Sequence, residues 1–143
     1  MRITLLLPLL LLTHLAFAQT VTGRWVTVDD ETGKRRSVVE ITERGGRLYG
    51  RIVQLFRDPG EDPDPICTKC ATDDDRHGRK VIGMEIIRGL VRDGEEWGDG
   101  TILDPKNGSV YDCKLWLENG QLKVRGYVAF FYRTQTWLRE QGK

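Results

Sequence analysis

The chain has 143 residues, 22 Lys and Arg against 21 Asp and Glu, and a formal net charge of +1. That length gives one domain with a core of its own. The even charge argues against nucleic acid as the main partner, which would favour a basic stripe, and it gives no reason to expect an anionic membrane surface.

The first 18 residues read as a secretory signal peptide. Arg2 supplies the charged start, Leu5 to Phe17 form a short apolar core, and Ala16-Phe17-Ala18 gives a small-x-small cut. The apolar run is shorter than the roughly 20 residues that span a bilayer. No Cys follows it, so a lipid anchor is not supported. A cut after Ala18 leaves residues 19–143 as one domain of 125 residues, 143 less 18. Loss of Arg2 then leaves 21 basic residues against 21 acidic ones, a formal charge of zero. The expected location is the periplasm or the exterior.

The mature chain opens on Thr22–Val28, a β-rich run closed by the polar turn Asp29–Lys34. Ser37–Thr42 follows, β-branched at most positions. Gly45-Gly46 turns the chain into Leu48–Leu55, because glycine reaches positive φ without steric cost. From Arg57 to Lys80 the texture changes, with three prolines, two glycines and seven acidic residues. This is a long loop, and loops of such length are commonly functional or disordered. Strand character resumes over Val81–Leu90. A helix over 83–92 is the rival there, and the glycines and β-branched residues favour the strand. Trp97–Leu103, Val110–Leu117, Leu122–Phe130 and Arg133–Leu138 complete eight strands.

Turns at Asp104–Gly108 and Glu118–Gln121 mark hairpins between neighbours. The fold expected is all-β, an eight-stranded antiparallel up-and-down barrel, which leaves no exposed sheet edge. Period-2 reading puts Tyr111, Cys113, Leu115 and Leu117 on one face, and Leu122, Val124, Gly126 and Val128 on another. Both sets are taken as inward. Tyr111, Leu115, Val124 and Trp137 are the candidates to line a cavity. The strand at Leu48–Leu55 has two mixed faces and takes no assignment.

Three readings of Cys67-Thr68-Lys69-Cys70 stand, and a local disulfide suited to an oxidising compartment leads. A metal site is the second, with Cys67, Cys70 and His77 as ligands, but zinc wants four well-placed donors. A redox dithiol is the third; no helix follows Cys70 to depress a thiol pKa. Cys113 reads as a buried, inert thiol. His77, the one histidine after the leader, reads as solvated. The clusters Glu61–Asp64 and Asp73–Asp75 lack the spacing of a calcium loop. Asp104 and Glu118 are turn residues. No Ser-His-Asp or Cys-His arrangement can be built.

Gly23-Arg24-Trp25, the Asp-Pro-Ile-Cys-Thr-Lys-Cys segment, Leu103-Asp104-Pro105 with Asn107-Gly108, Lys123–Tyr127 and Arg133-Thr134-Gln135-Thr136-Trp137 carry a resemblance. Together they resemble a family of small exported bacterial proteins known as domain of unknown function 2147, over essentially the whole mature chain. The resemblance implies export in a Gram-negative bacterium and a small barrel of the lipocalin-like (calycin) group. It implies no activity. A glycine is expected just before the Arg-Thr-Gln-Thr-Trp run, where Tyr132 stands, which bears on the last hairpin. Lipocalin-like proteins also carry Gly-x-Trp on the first strand under an Arg from the last. Arg133 and Arg139 are the candidates, and Trp25 with Arg133 is taken as the fold-marker pair.

These features lead to a non-enzymatic binding protein of the cell envelope. Its ligand is expected to be small and apolar or amphiphilic, held at the barrel mouth under the Cys loop. No cofactor and no membrane span beyond the leader are expected. The second reading is a structural or protein-interaction module, with a packed interior and an exposed apolar patch. A metal or redox role of the Cys loop is a further alternative. An enzyme is the last reading, with only Arg125, Arg133 and Tyr127 to carry it.

Overall fold

The structure, a computed structural model, describes residues 19–141. The expected leader, 1–18, lies outside them. Eight strands follow in order: β1 (Gly23–Val28), β2 (Arg35–Arg44), β3 (Arg47–Leu55), β4 (Glu85–Asp93), β5 (Glu96–Asp104), β6 (Ser109–Glu118), β7 (Gln121–Val128) and β8 (Phe131–Arg139). Each pairs antiparallel with its neighbours, and the sheet closes as an up-and-down barrel. At Asn119-Gly120 both turn residues take positive φ, 51° and 74°. That geometry matches the twist of the flanking strands and sets the register of β6 on β7.

Strand ends differ from the expectation by a few residues at most, and two of these differences have a clear local cause. β4 starts at Glu85, because Val81–Met84 turn instead of extending. The Val81 N–H donates to Pro65 O at 2.9 Å, the Met84 N–H donates back to Val81 O, and Gly83 sits at φ +92°. The apolar character there serves burial under the loop: Val81 and Met84 are both in the core. β7 ends at Val128, because Ala129 adopts φ 51° and turns the chain into β8. Tyr132 stands in regular pairing opposite Tyr127, so the left-handed residue of this hairpin is Ala129.

The inward faces largely follow the two-residue period. Cys113, Leu115, Leu122 and Val124 are buried, and Tyr111 and Leu117 are half-buried. Val128 is the exception: it has the inward phase but stands at the rim, 53% exposed. β3 looks mixed because its inward set is Leu48, Gly50 and Ile52. A Cβ on Gly50 would lie 3.0 Å from Ile87, so β4 supplies the bulk that β3 omits.

Both ends of the barrel are stopped. Strand alternation puts residues 19–22 and the β2–β3, β4–β5 and β6–β7 turns at one end. There Val21 tucks in and accepts a hydrogen bond from Trp25 Nε1 at 2.9 Å. The β1–β8 seam is the shortest ladder, with only the pairs Trp25↔Arg139 and Val26↔Leu138. At the other end the long connection from β3 to β4 folds inward over the mouth. Cys67 and Cys70 sit within the core cluster beside Val81 and Met84.

Candidate functional site

The loop after β3 is the most unusual part of the barrel. Cys67 and Cys70 form a disulfide, and both are buried. Backbone bonds staple the loop to itself: Cys67 N–H donates to Arg79 O and Gly78 N–H to Cys67 O. Arg76 is the anchor. Its guanidinium binds Asp74 with two hydrogen bonds of 2.9 and 2.8 Å and donates to Glu85 O at the start of β4. The hydrogen bonds from Arg76 hold the Asp74 carboxyl well below the usual range. Asp75 is lowered too, first by hydrogen bonds from Arg88.

The loop rests on the β5–β6 turn. The Cys67 sulfur lies 3.8 Å from Pro105 O. Gly108 allows the closest approach: a Cβ there would lie 1.8 Å from Lys69 O, and its φ is +76°. Glycine at this position therefore answers both a left-handed backbone and a lack of space.

The disulfide bears on the other two readings of the Cys-x-x-Cys segment. Both sulfurs are bonded, so Cys67, Cys70 and His77 do not form a thiolate metal site. His77 is exposed but not merely solvated: its Nδ1 lies 2.6 Å from Cys70 O, to which the ring N–H donates. Among the described residues no cluster of three metal-ligating side chains occurs. The buried sulfurs also lack the access that thiol exchange requires. Burial pushes the Cys113 thiol up to about 12, which keeps it protonated and unreactive.

The fold-marker pair is Trp25 with Arg139, not Arg133. The Arg139 guanidinium stacks 3.9 Å from the centre of the indole ring. It also donates to Thr22 O and Thr20 O, which pins the segment before β1 across the barrel end. A Cβ on Gly23 would lie 2.9 Å from Arg139 Nη1, which explains the glycine two residues before the tryptophan. Arg133 instead reaches the β1–β2 turn and binds Asp30 at 2.8 Å. The register decides between them, because Arg139 is the residue that pairs with Trp25.

Leu115, Val124 and Trp137 are brought together, as expected, but as packed core. They are 0%, 3% and 2% exposed. A void wide enough for water would leave accessible surface on its walls, and these walls have almost none. Tyr111 lies nearer the rim, with its Cβ against Gly126 and its hydroxyl accepting from Asn107 Nδ2 at 3.2 Å.

Two depressions mark the outer wall instead. The larger, about 410 Å³, lies over β5–β7 and is lined by Asp99, Thr101, Asp112, Lys114 and Tyr127. It follows from the irregularity in β5 between Trp97 and Gly100, where Asp99 takes φ 57°. Lys114 is raised by its hydrogen bond with Glu96 at the edge of this trough. The smaller depression, about 30 Å³, is enclosed by the charged side chains Glu40, Arg44, Arg51 and Glu85.

Beside the larger trough runs a stack that the sequence reading missed. Arg125 lies 4.9 Å from the Trp116 ring and 4.2 Å from the Tyr132 ring, with its Nε donating to Thr134 Oγ1. Tyr127 and Tyr132 sit opposite each other with ring centroids 5.9 Å apart. The pairing follows from cross-strand register, so the two hairpin turns were the signal that could have found it. The stack leads up to the β7–β8 tip, where Phe130 is 98% exposed and Phe131 79%.

A closed eight-stranded antiparallel barrel, sealed at one end by an Arg-over-Trp stack from the last strand to the first, is a lipocalin-like barrel. The solved structure titled "Protein HP1028 from the human pathogen Helicobacter pylori belongs to the lipocalin family" superposes with a TM-score of 0.71. It is 16% identical, over 87% of this chain and 85% of that one, so the likeness is one of fold. The chain belongs to the bacterial family described as "Uncharacterized protein conserved in bacteria (DUF2147)", whose model matches residues 23–139. Among curated proteins none matches it in sequence.

Proposed function

We propose that this protein is an exported, non-enzymatic binding module of the cell envelope that works through its outer surface. One observation carries the reading: the lumen is filled by Trp25, Leu48, Leu115, Leu122 and Trp137, all at most 2% exposed. A ligand pocket for a small molecule is commonly several hundred Å³ of open space, and a lumen walled in this way has no such room. The leader-like start and the buried disulfide support export, since disulfides persist in oxidising compartments. Arg125 and Arg133, weighed as catalytic groups, are occupied by a ring stack and by Asp30.

The second reading is a carrier of a small apolar or amphiphilic ligand inside the barrel. It draws on the family name of the structural neighbour and on the apolar convergence of Leu115, Val124 and Trp137. It requires the disulfide loop to lift and the core to repack around the guest. Native mass spectrometry of the protein purified from its own host separates the two. The bare polypeptide mass is expected. A reproducible excess that leaves on denaturation and persists when Phe130 and Phe131 are replaced by serine would establish the carrier and end the outer-surface reading.

A further inference from the structure

We infer that the β7–β8 hairpin tip docks this protein on the surface of a lipid bilayer. The inference rests on the outer-surface reading above and names its partner. Val128, Phe130, Phe131 and Tyr132 are 53%, 98%, 79% and 61% exposed. Four large apolar side chains within five residues are thus presented to solvent at one turn. The neighbouring hairpins of the same barrel turn on Gly45-Gly46 and Asn119-Gly120, the usual polar and flexible choices. Here the left-handed position is filled by Ala129, and the turn gives up polarity and glycine together.

The shape of the tip selects the occupant. Phe130 projects with almost its whole surface free, so a folded partner would need a groove to receive it. A bilayer needs none. The hairpin also keeps its backbone paired down to Val128↔Phe131, which leaves only the two turn residues without a cross-strand partner. That suits the polar-to-apolar boundary of a membrane, where unpaired backbone is costly below the headgroups.

The layering matches as well. At about 3.4 Å per residue, Arg133 and Arg125 stand two and three pairs behind the last pair, about 7–10 Å back. Amphipathic elements bury their apolar face about 5–10 Å into the headgroup boundary. Phe130 and Phe131 would then enter the acyl edge, Tyr132 would sit at the interface where aromatic rings collect, and the Arg125 stack and the Arg133–Asp30 pair would lie at headgroup depth. Charge near the tip is mixed: Arg133 is held by Asp30, and Asp112 stands opposite Tyr127. A balanced rim fits zwitterionic headgroups, so binding should depend weakly on salt. Strand alternation puts this tip at the same end as the disulfide loop, which would face the membrane.

The test is co-sedimentation of the full protein with phosphatidylcholine vesicles. The wild type is expected to pellet with the vesicles and to keep its affinity within about twofold at about 0.5 M NaCl, where exposed charges are screened. Phe130→Ser with Phe131→Ser is expected to weaken binding by at least about tenfold, from the loss of two buried rings, with an unchanged melting temperature. A Phe130→Trp reporter should shift its emission to the blue on vesicles and be quenched by brominated acyl chains. No pelleting of the wild type, or pelleting that survives the double substitution, overturns the inference. So does a photocrosslinker at position 130 that captures a single protein in the host envelope. A mass excess that persists in the Phe130→Ser, Phe131→Ser protein would instead sink the outer-surface reading, whatever the vesicles show.

Discussion

Asp74 and Arg76 form the most buried ion pair described, with side chains 13% and 7% exposed. Removing one partner from such a pair strands a charge, and that penalty exceeds what the pair gains by forming. Asp74→Asn is therefore expected to lower stability by about 3 kcal/mol, read as a shift in the urea midpoint at pH 7. The same pair sets an acid limit. The folded-state pKa of Asp74 lies below its ordinary 3.8. Its contribution is complete at pH values above that figure and is lost as pH falls towards the lowered value. Wild type should lose stability on acidification in this window, and Asp74→Asn should lose less there. Equal acid limbs in the two proteins would refute the assignment. The pairing itself was hard to foresee: three aspartates in a row, Asp73–Asp75, look like a solvated run, and nothing local shows that an arginine two residues on turns back into the fold.

At the scale of elements, the loop between β3 and β4 acts as a stopper held by one short covalent ring. On the chain-entropy account, closing four residues contributes about 2 kcal/mol. Cys67→Ser with Cys70→Ser is expected to lower stability by about that amount, measured by thermal or urea unfolding in non-reducing buffer. The loss should come with faster proteolysis confined to residues 57–84, while the strands stay protected. Cleavage that begins in β6 or β7 would show that the loop is not an independent stopper. Strands and turns were legible because glycine, asparagine and alternating apolar residues act locally. Asn119-Gly120 and Gly45-Gly46 fix their hairpins without help from elsewhere. The start of β4 was not legible, since Val81 and Met84 are apolar for the sake of the stopper and resemble strand residues. The packed lumen was not legible either. Period-2 reading tells which side chains point inward, but only their summed volume against the barrel radius decides whether a cavity is left.

For the whole molecule, closure depends on the seam between β1 and β8, two residue pairs long. The flanking ladders run longer, six pairs for β1 on β2 and seven for β7 on β8. Amide exchange should follow that difference. The amides of β1 and β8 that point towards the seam are expected to exchange well before those of Val39, Ile41 and Leu115, read by native-state hydrogen exchange. Uniform protection around the barrel would contradict it. Arg139 offsets the short ladder from the side, through its contacts with Trp25, Thr20 and Thr22. The choice between Arg133 and Arg139 was open in the sequence for the same reason: both lie on the last strand with the same phase, and only the register at the seam separates them.

The Arg139 clasp has a further meaning in time. It joins β8 to the residues just before β1, so the barrel closes only after all eight strands have been made. A polypeptide leaving a ribosome or a translocation channel from its N terminus can form hairpins β2–β3 and β6–β7 as they appear, but Trp25 waits for its cover until β8 is free. Pairing of such distant segments is slow relative to local hairpins. The arrangement therefore delays closure of the barrel until β8 is available, while the local hairpins form ahead of it.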